Sequence, residues 1–470
     1  MGWLKGHIAS HAMLSDGGAK KDPVRDGRQA IGHEPNSTIN ILCYGYLITM
    51  NKHVLIFLMA MPLAISHAYA EDAASGPTVK ISGFGTAALT VADTDNAQFA
   101  RPNQAAGAGR TARTGVDSNL GLQANVTVNP WLSATVQGLV RKDGEDDFGA
   151  ELAWAFAKAK VSDSFSVRVG RMGLPVFMIS DYRNVGYANT MLRPPGEMYS
   201  QVPLNSIDGI DGTYQFSLGD TNITSQLALG RTKATLATGP NSTVHVEGKS
   251  IVALNLVAEH GPVTLRFGRA ETKLTINDSA SQNALMEGLR AAGAGYKFAQ
   301  LGVLADALEV KNKKASFTSI GLGLDWNDIM VQSEYAKRKT DSYVNDSTSW
   351  YVMAGYRIGA FLPYYSHASL KADDRVNNTV PTACPPGYPA ACTPTLRALS
   401  AGVNTMAYTR NQLEQSTDSI GVRWDFHRSA ALKVQIDRIK PKNGQGLFVQ
   451  AKPGFSGPVT VVAAAIDFVF

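Results

Sequence analysis

The sequence predicts an all-β fold, a transmembrane antiparallel β-barrel of 16–18 strands, and three observations carry that prediction. From residue 79 onward, segments of about ten residues alternate apolar and polar side chains, which in a strand sends the two sets to opposite faces. The connections between segments are alternately very short and long, as in a membrane barrel with tight turns at one end and surface loops at the other. The chain ends Ala465-Ile-Asp-Phe-Val-Phe470, an alternation that finishes on an aromatic residue. Segments of ~9–11 residues have the length that crosses a bilayer when tilted, and a sheet in lipid must close on itself to leave no backbone group unpaired. A soluble β-sandwich alternates too; strand length and the aromatic terminus are what favour the barrel.

Composition removes other classes. Of the 470 residues 18% are charged and 8% aromatic, with 44 Gly, 21 Pro and a formal net charge of +5. No series of ~18-residue apolar runs exists to build a multi-span helical transporter. Lys and Arg total 44 against 39 Asp and Glu, with no dense basic block, so a nucleic-acid partner is not expected.

In chain order, the first feature is the run Val54-Leu-Ile-Phe-Leu-Met-Ala-Met-Pro-Leu-Ala-Ile65, preceded by Lys52 and His53 and followed by Ala68-Tyr-Ala70. This is the charged, apolar and small-residue pattern of a cleaved export signal, too short for a spanning helix. Residues 50–70 are read as the signal peptide, 1–49 as an upstream extension and 71–470 as a single barrel domain. Without residues 1–70 the net charge is +3.

Eighteen segments carry the strand pattern: 79–89, 117–128, 131–141, 150–160, 165–172, 208–218, 222–232, 250–259, 262–272, 287–298, 301–311, 316–325, 329–339, 349–357, 360–370, 416–426, 431–440 and 459–470. In the ninth, Val263, Leu265 and Phe267 oppose Thr264, Arg266 and Gly268. Near the end, Ile420, Val422, Trp424 and Phe426 oppose Gly421, Arg423 and Asp425, and Leu432, Val434 and Ile436 oppose Lys433, Gln435 and Asp437. Tight turns such as Asn129-Pro130, Ser162-Asp-Ser164 and Gly261-Pro262 contrast with long loops at 90–116, 173–207 and 371–415. In the last of these, Cys384 and Cys392 are eight residues apart, and in an exported chain they read as a local disulfide. Zinc is the weaker alternative, because no His or further Cys stands at ligand spacing.

The terminal Phe470 with Phe468 and Ile466, together with Ile81-Ser-Gly-Phe-Gly-Thr86, resembles the closing and opening strands of Gram-negative outer-membrane porins. Ser180-Asp-Tyr-Arg-Asn-Val-Gly-Tyr-Ala-Asn189, Leu192-Arg-Pro-Pro195 and Ser206-Ile-Asp-Gly-Ile-Asp-Gly212 resemble a less-studied porin-like group. The resemblance implies a water-filled channel for passive diffusion of small hydrophilic solutes and ions, with no cofactor. It also implies a homotrimer set among outer-membrane lipid and lipopolysaccharide, and a loop after the fifth strand, here 173–207, folded into the lumen as the constriction.

On that reading Asp181, Arg183, Arg193 and Glu197 sit on the constriction loop, with Asp208 and Asp211 at its return. The facing wall carries Arg168, Arg171, Arg266, Arg269, Arg357 and Arg423, so opposed charges set up a transverse field that weakly favours anions. Arg183 and Arg193 also have the chemistry to clamp the loop to the wall. Trp131, Trp154, Trp350, Tyr351 and Tyr356 read as an interfacial girdle.

Enzyme signals are absent from the pattern. Gly83-Phe-Gly-Thr-Ala-Ala88 matches a dinucleotide motif in letters only, with no helix following. His245, His260, His367 and His427 have no metal-ligand spacing. A substrate-selective channel of the same fold, or an adhesive or structural barrel, are the alternatives, and open-channel conductance separates the last from the rest.

Overall fold

The computed structural model describes residues 76–470 apart from 240, 241, 278 and 279; the predicted extension and signal peptide lie outside the described residues. Among those residues sixteen strands form one closed barrel. They are β1 (Thr78–Ala92), β2 (Asn119–Asn129), β3 (Leu132–Lys142), β4 (Phe148–Lys160), β5 (Phe165–Gly173), β6 (Ser206–Leu218), β7 (Thr221–Gly239) and β8 (Ser242–His260), followed by β9 (Val263–Asn277), β10 (Lys313–Trp326), β11 (Ile329–Thr340), β12 (Ser347–Tyr356), β13 (Phe361–Ala372), β14 (Gln415–His427), β15 (Ala430–Pro441) and β16 (Val459–Val469). Each strand pairs antiparallel with its sequence neighbours, and β1 pairs with β16 to close the ring.

Closure depends on the aromatic terminus. Gly83 and Phe470 exchange both backbone hydrogen bonds, at 2.9 and 3.0 Å. A Cβ on Gly83 would lie 2.2 Å from the Phe470 ring and one on Gly85 2.4 Å from the Phe468 ring, so the two glycines of the opening strand make room for the two rings of the closing one. The Gly-Phe-Gly motif is therefore a packing device.

Alternation sorts the wall as predicted. Leu265 and Phe267 are 52% and 37% exposed on the outer face, while Arg266 between them is 4% exposed and turned inward. Ile420 and Ile436 face out, and Ser419, Lys433, Gln435 and Asp437 face in. Covering an outward Leu, Ile or Phe with lipid stabilises the inserted barrel by about 1.5–3 kcal/mol each.

Two of the eighteen expected strands are helices. The segments 287–298 and 301–311 lie largely within helices Ala280–Gly295 and Ala299–Leu308. Their buried residues, Met286, Leu289 and Ala292, then Leu301, Leu304, Ala305 and Leu308, recur every three or four positions, which is the period of a helix face. With Leu396, Leu399 and Val403 of a third helix, Cys392–Arg410, they build an apolar cluster at the long-loop end. The Cys384–Cys392 disulfide is formed at the start of that helix.

The girdle reading holds for Trp131, Trp350 and Tyr356, which are exposed. It fails for Tyr351, which is wholly buried inside the barrel, and for Trp154, which pairs with the inward Gln137.

Candidate functional site in the barrel lumen

The chain between β5 and β6 enters the lumen and is fastened there by inward-facing side chains of the wall. Pro175 and Val176 accept hydrogen bonds from the Arg266 guanidinium (2.9 and 3.1 Å). The Met178 amide donates to Glu334 of β11 (2.8 Å), which also accepts from the hydroxyls of Tyr199 and Tyr351. The tip reaches the short-turn end, where the Tyr187 hydroxyl donates to the Arg428 carbonyl in the β14–β15 turn (2.9 Å). Lys433 holds that tip by donating to the carbonyls of Gly186 (2.7 Å), Asn189 (2.6 Å) and Met191 (3.2 Å), while pairing with Asp467 at 2.8 Å.

The return limb climbs back. The Leu192 amide donates to Tyr364 and Gln435 (3.2 and 3.1 Å), and Gln201 is gripped near the long-loop end by Arg338 and Ser347. Apolar contacts complete the seat: Phe177 packs between Tyr199 and Phe317, with ring centroids 4.6 and 5.2 Å away. The loop thus spans the depth of the barrel, and its backbone is satisfied partly by wall side chains and partly by bonds within the loop, as burial requires.

This geometry divides the predicted residues. Arg193 is buried, paired with Asp117 (3.0 Å) and Asp437 (3.2 Å), and stacked over Phe99 at 4.6 Å. Glu197 is buried and accepts from Gln415 (2.6 Å) and Thr417; burial pushes its carboxyl above the usual range. Both are clamps.

Arg266 is a clamp as well, and so is Arg423, which donates to the carbonyls of Tyr187 (2.8 Å) and Asn189 (2.9 Å) while pairing with Asp425. Arg168 faces inward, engaged by the buried Asp211 at 3.0 Å. Arg171 pairs with Asp208 in register with the exposed Val169 and Ile210, and it also borders the cavity that Asp181 and Arg183 line. Arg269 likewise shares the outer phase of Leu265 and Phe267 and pairs with Glu271. A strand offers alternate residues to one face, so Arg266 and Arg269, three apart, stand on opposite faces. Arg357 lies in the β12–β13 turn, paired with Asp325 at 2.6 Å.

The charges left facing lumenal water are Asp181, which is exposed, and the half-buried Arg183. Arg183 donates to Asn205, and burial, then the nearby Arg141, pushes its guanidinium down to about 10, so it stays cationic at neutral pH. A cavity of about 380 Å³ is lined by Asp181, Arg183, Arg141, Glu151 and Trp154. A smaller one of about 60 Å³ brings Arg101, Arg141, Lys142 and Arg183 together with Asp117. Arg101 and Arg141, from the β1–β2 loop and β3, were missed in the sequence; Arg141 continues the inward phase of Gln137 and Leu139, a signal that was present.

Lys433, Gln435, Asp437 and Asp467 were seen only as the polar phase of their strands, and their joint role needed the loop to be in place. Among the described residues no group of three or more His, Cys, Asp or Glu could hold a metal ion.

The architecture is a closed sixteen-strand antiparallel barrel with a long loop held in its lumen. No protein-family model and no curated protein matches the chain. Among solved structures, it is similar to an anion-selective porin from Comamonas acidovorans (14% identity over 84% of this chain and 100% of that one, TM-score 0.48). It is also similar to OmpF of Salmonella typhi (13% identity, 84% and 98%, TM-score 0.48) and to the outer-membrane channel DcaP of Acinetobacter baumannii (10% identity, 85% and 99%, TM-score 0.47). The likeness is one of shape, and the function is read from this chain's own residues.

Proposed function

We propose that the protein is an outer-membrane diffusion porin that passes small hydrophilic solutes and ions down their gradients. The observation that carries this reading is the lumenal loop itself: wall clamps fix its backbone along the full depth of the barrel, while Asp181 and Arg183 remain turned to water. A fixed constriction bordered by a carboxylate and several guanidiniums sorts solutes by width and charge without any moving part or cofactor. Of the cations gathered there, Arg141 is paired with Glu151, Lys142 with Asp146 and Arg101 with Asp117, which leaves Arg183 to give the passage a positive bias, so anions pass more readily. Export through the 50–70 signal, assembly as a homotrimer and contact with lipopolysaccharide belong to the same proposal, and no catalytic role does.

The test is single-channel conductance and reversal potential of the purified mature protein in a planar bilayer under a salt gradient. Stable conductance is expected, with Arg183→Ala moving the reversal potential toward cation preference. A folded, heat-modifiable barrel that never conducts would overturn the reading in favour of an adhesive or structural barrel.

A further inference from the structure

At the long-loop end of the lumen, above the loop's two limbs, lies a cavity of about 330 Å³ that differs in chemistry from the rest of the passage. Its wall is the upper inner face of β7 to β13, with Leu236, Val246, Ile251, Leu274 and Phe317, and its floor is Leu174 with Val202 and Leu204 of the loop. An aliphatic lining of this size is not what free diffusion of ions and hydrophilic solutes calls for.

Two guanidiniums line the same cavity, those of Arg338 and Arg410. Arg338 donates to the carbonyls of Gln201 (3.0 Å) and Asn345 (2.9 Å), and Arg410 donates to the Tyr343 hydroxyl (3.0 Å) and stacks over its ring at 4.7 Å. Neither forms an ion pair among the described residues, and Glu271, which borders the cavity but shares the outer phase of Arg269, is held on that face at 2.6 Å. Asp346 and Asp374 influence Arg338 from beyond ion-pair range. Charged groups at an apolar surface are ordinarily paired, so two half-buried cations without a carboxylate leave a place for one that arrives with a solute.

We infer that this cavity is a binding site for amphipathic organic anions, solutes with one carboxylate on an aliphatic or aromatic body. The carboxylate meets Arg338 and Arg410, and the body lies on the Leu236–Phe317 wall. Resting on the porin reading, the site makes the vestibule a selectivity station: it raises the local concentration of such anions ahead of the constriction, where Arg183 carries the same sign of charge.

The experiment compares phenylacetate with acetate, which lacks the body, and benzyl alcohol, which lacks the charge, on the mature protein. Binding is read by calorimetry in lipid nanodiscs and block by single-channel current in a bilayer. Phenylacetate is expected to bind saturably and to half-block the current at a concentration about tenfold below either control, the worth of one charge-assisted contact. Arg410→Gln is expected to weaken binding about tenfold and Arg410→Lys to restore part of it. The Arg410 guanidinium bonds to Tyr343 and to no loop residue among the described residues, so its replacement spares the loop clamps, which Arg338→Gln does not.

A conducting channel that treats phenylacetate like acetate overturns the inference and leaves the porin reading standing. Saturable, Arg410-dependent binding without conductance upholds the site and overturns the porin reading. Absence of both overturns both.

Discussion

Replacing Lys433 with Met tests whether the constriction is a fixed structure. Lys433 and Asp467 are both 0% exposed and 2.8 Å apart, and the same ammonium donates to three loop carbonyls. At an effective dielectric of about 20 the Coulomb attraction at this distance is roughly 6 kcal/mol, part of which offsets the cost of desolvating the two charges. Met keeps the volume and removes the charge. Asp467 retains Thr86 as a donor to Oδ1 (2.5 Å), but its Oδ2 has no hydrogen-bond donor of its own beside Lys433.

Leaving one buried charge unpaired costs about 3–5 kcal/mol. The carbonyls of Gly186, Asn189 and Met191 lose a charged donor besides, and the penalty falls on the loop tip that this lysine fastens. The expected outcome is a lower unfolding temperature together with frequent flickering between conductance levels in single-channel records. The double replacement Lys433→Met with Asp467→Leu removes the orphaned charge, so it should recover much of the thermal stability while the flicker persists. A Lys433→Met protein with wild-type stability and quiet openings would refute the clamp.

Three further outcomes are expected. Arg193→Ala strands Asp117 and Asp437 in the loop's seat, so it should lower the unfolding temperature far more than Arg183→Ala, which should act on ion selectivity; thermal scans beside reversal potentials check the contrast. Burial raises the Glu197 carboxyl above its unfolded value of about 4.3, so its contribution to stability is fully present below that pH and is lost as pH rises through the folded value; Glu197→Gln should flatten that part of the stability–pH curve measured by heat modifiability. Cys384→Ser opens an eight-residue link, worth about 2–3 kcal/mol locally, and should speed proteolytic cleavage within 371–415 while the barrel stays heat-modifiable.

The barrel was legible in the sequence because lipid enforces a strict period of two: an outward position must be apolar, as at Leu265, Phe267 and Ile420, and the lumenal positions between them are free to be polar. The same rule could have removed Arg269 from the lumen, since it is three positions from the inward Arg266. The helices at 280–308 were misread because they lie beyond the membrane, where an Ala- and Leu-rich segment owes nothing to the period of the strands below it. Their buried positions follow the helical period, and an Ala- and Leu-rich composition with Val303 as the one β-branched residue in the two helices points the same way.

The constriction was legible in position and not in role, for a physical reason. Sequence places Arg183 and Arg193 ten residues apart on one loop with the same chemistry, and nothing local separates them. What separates them is the wall: the path of the loop brings Arg193 between Asp117 and Asp437, while Arg183 arrives opposite Asn205 and beside Arg141, with no ion pair of its own among the described residues. A loop laid through a polar lumen must satisfy its own backbone before any charge is free for solutes, and Arg266, Arg423 and Lys433 are used in that way. On the proposed function, the selectivity of the passage resides in the charges that remain unpaired after the loop is fastened. That ordering makes Arg183, rather than Arg141 with its Glu151 partner at 2.9 Å or the wall arginines, the position at which a single substitution should change which ions pass.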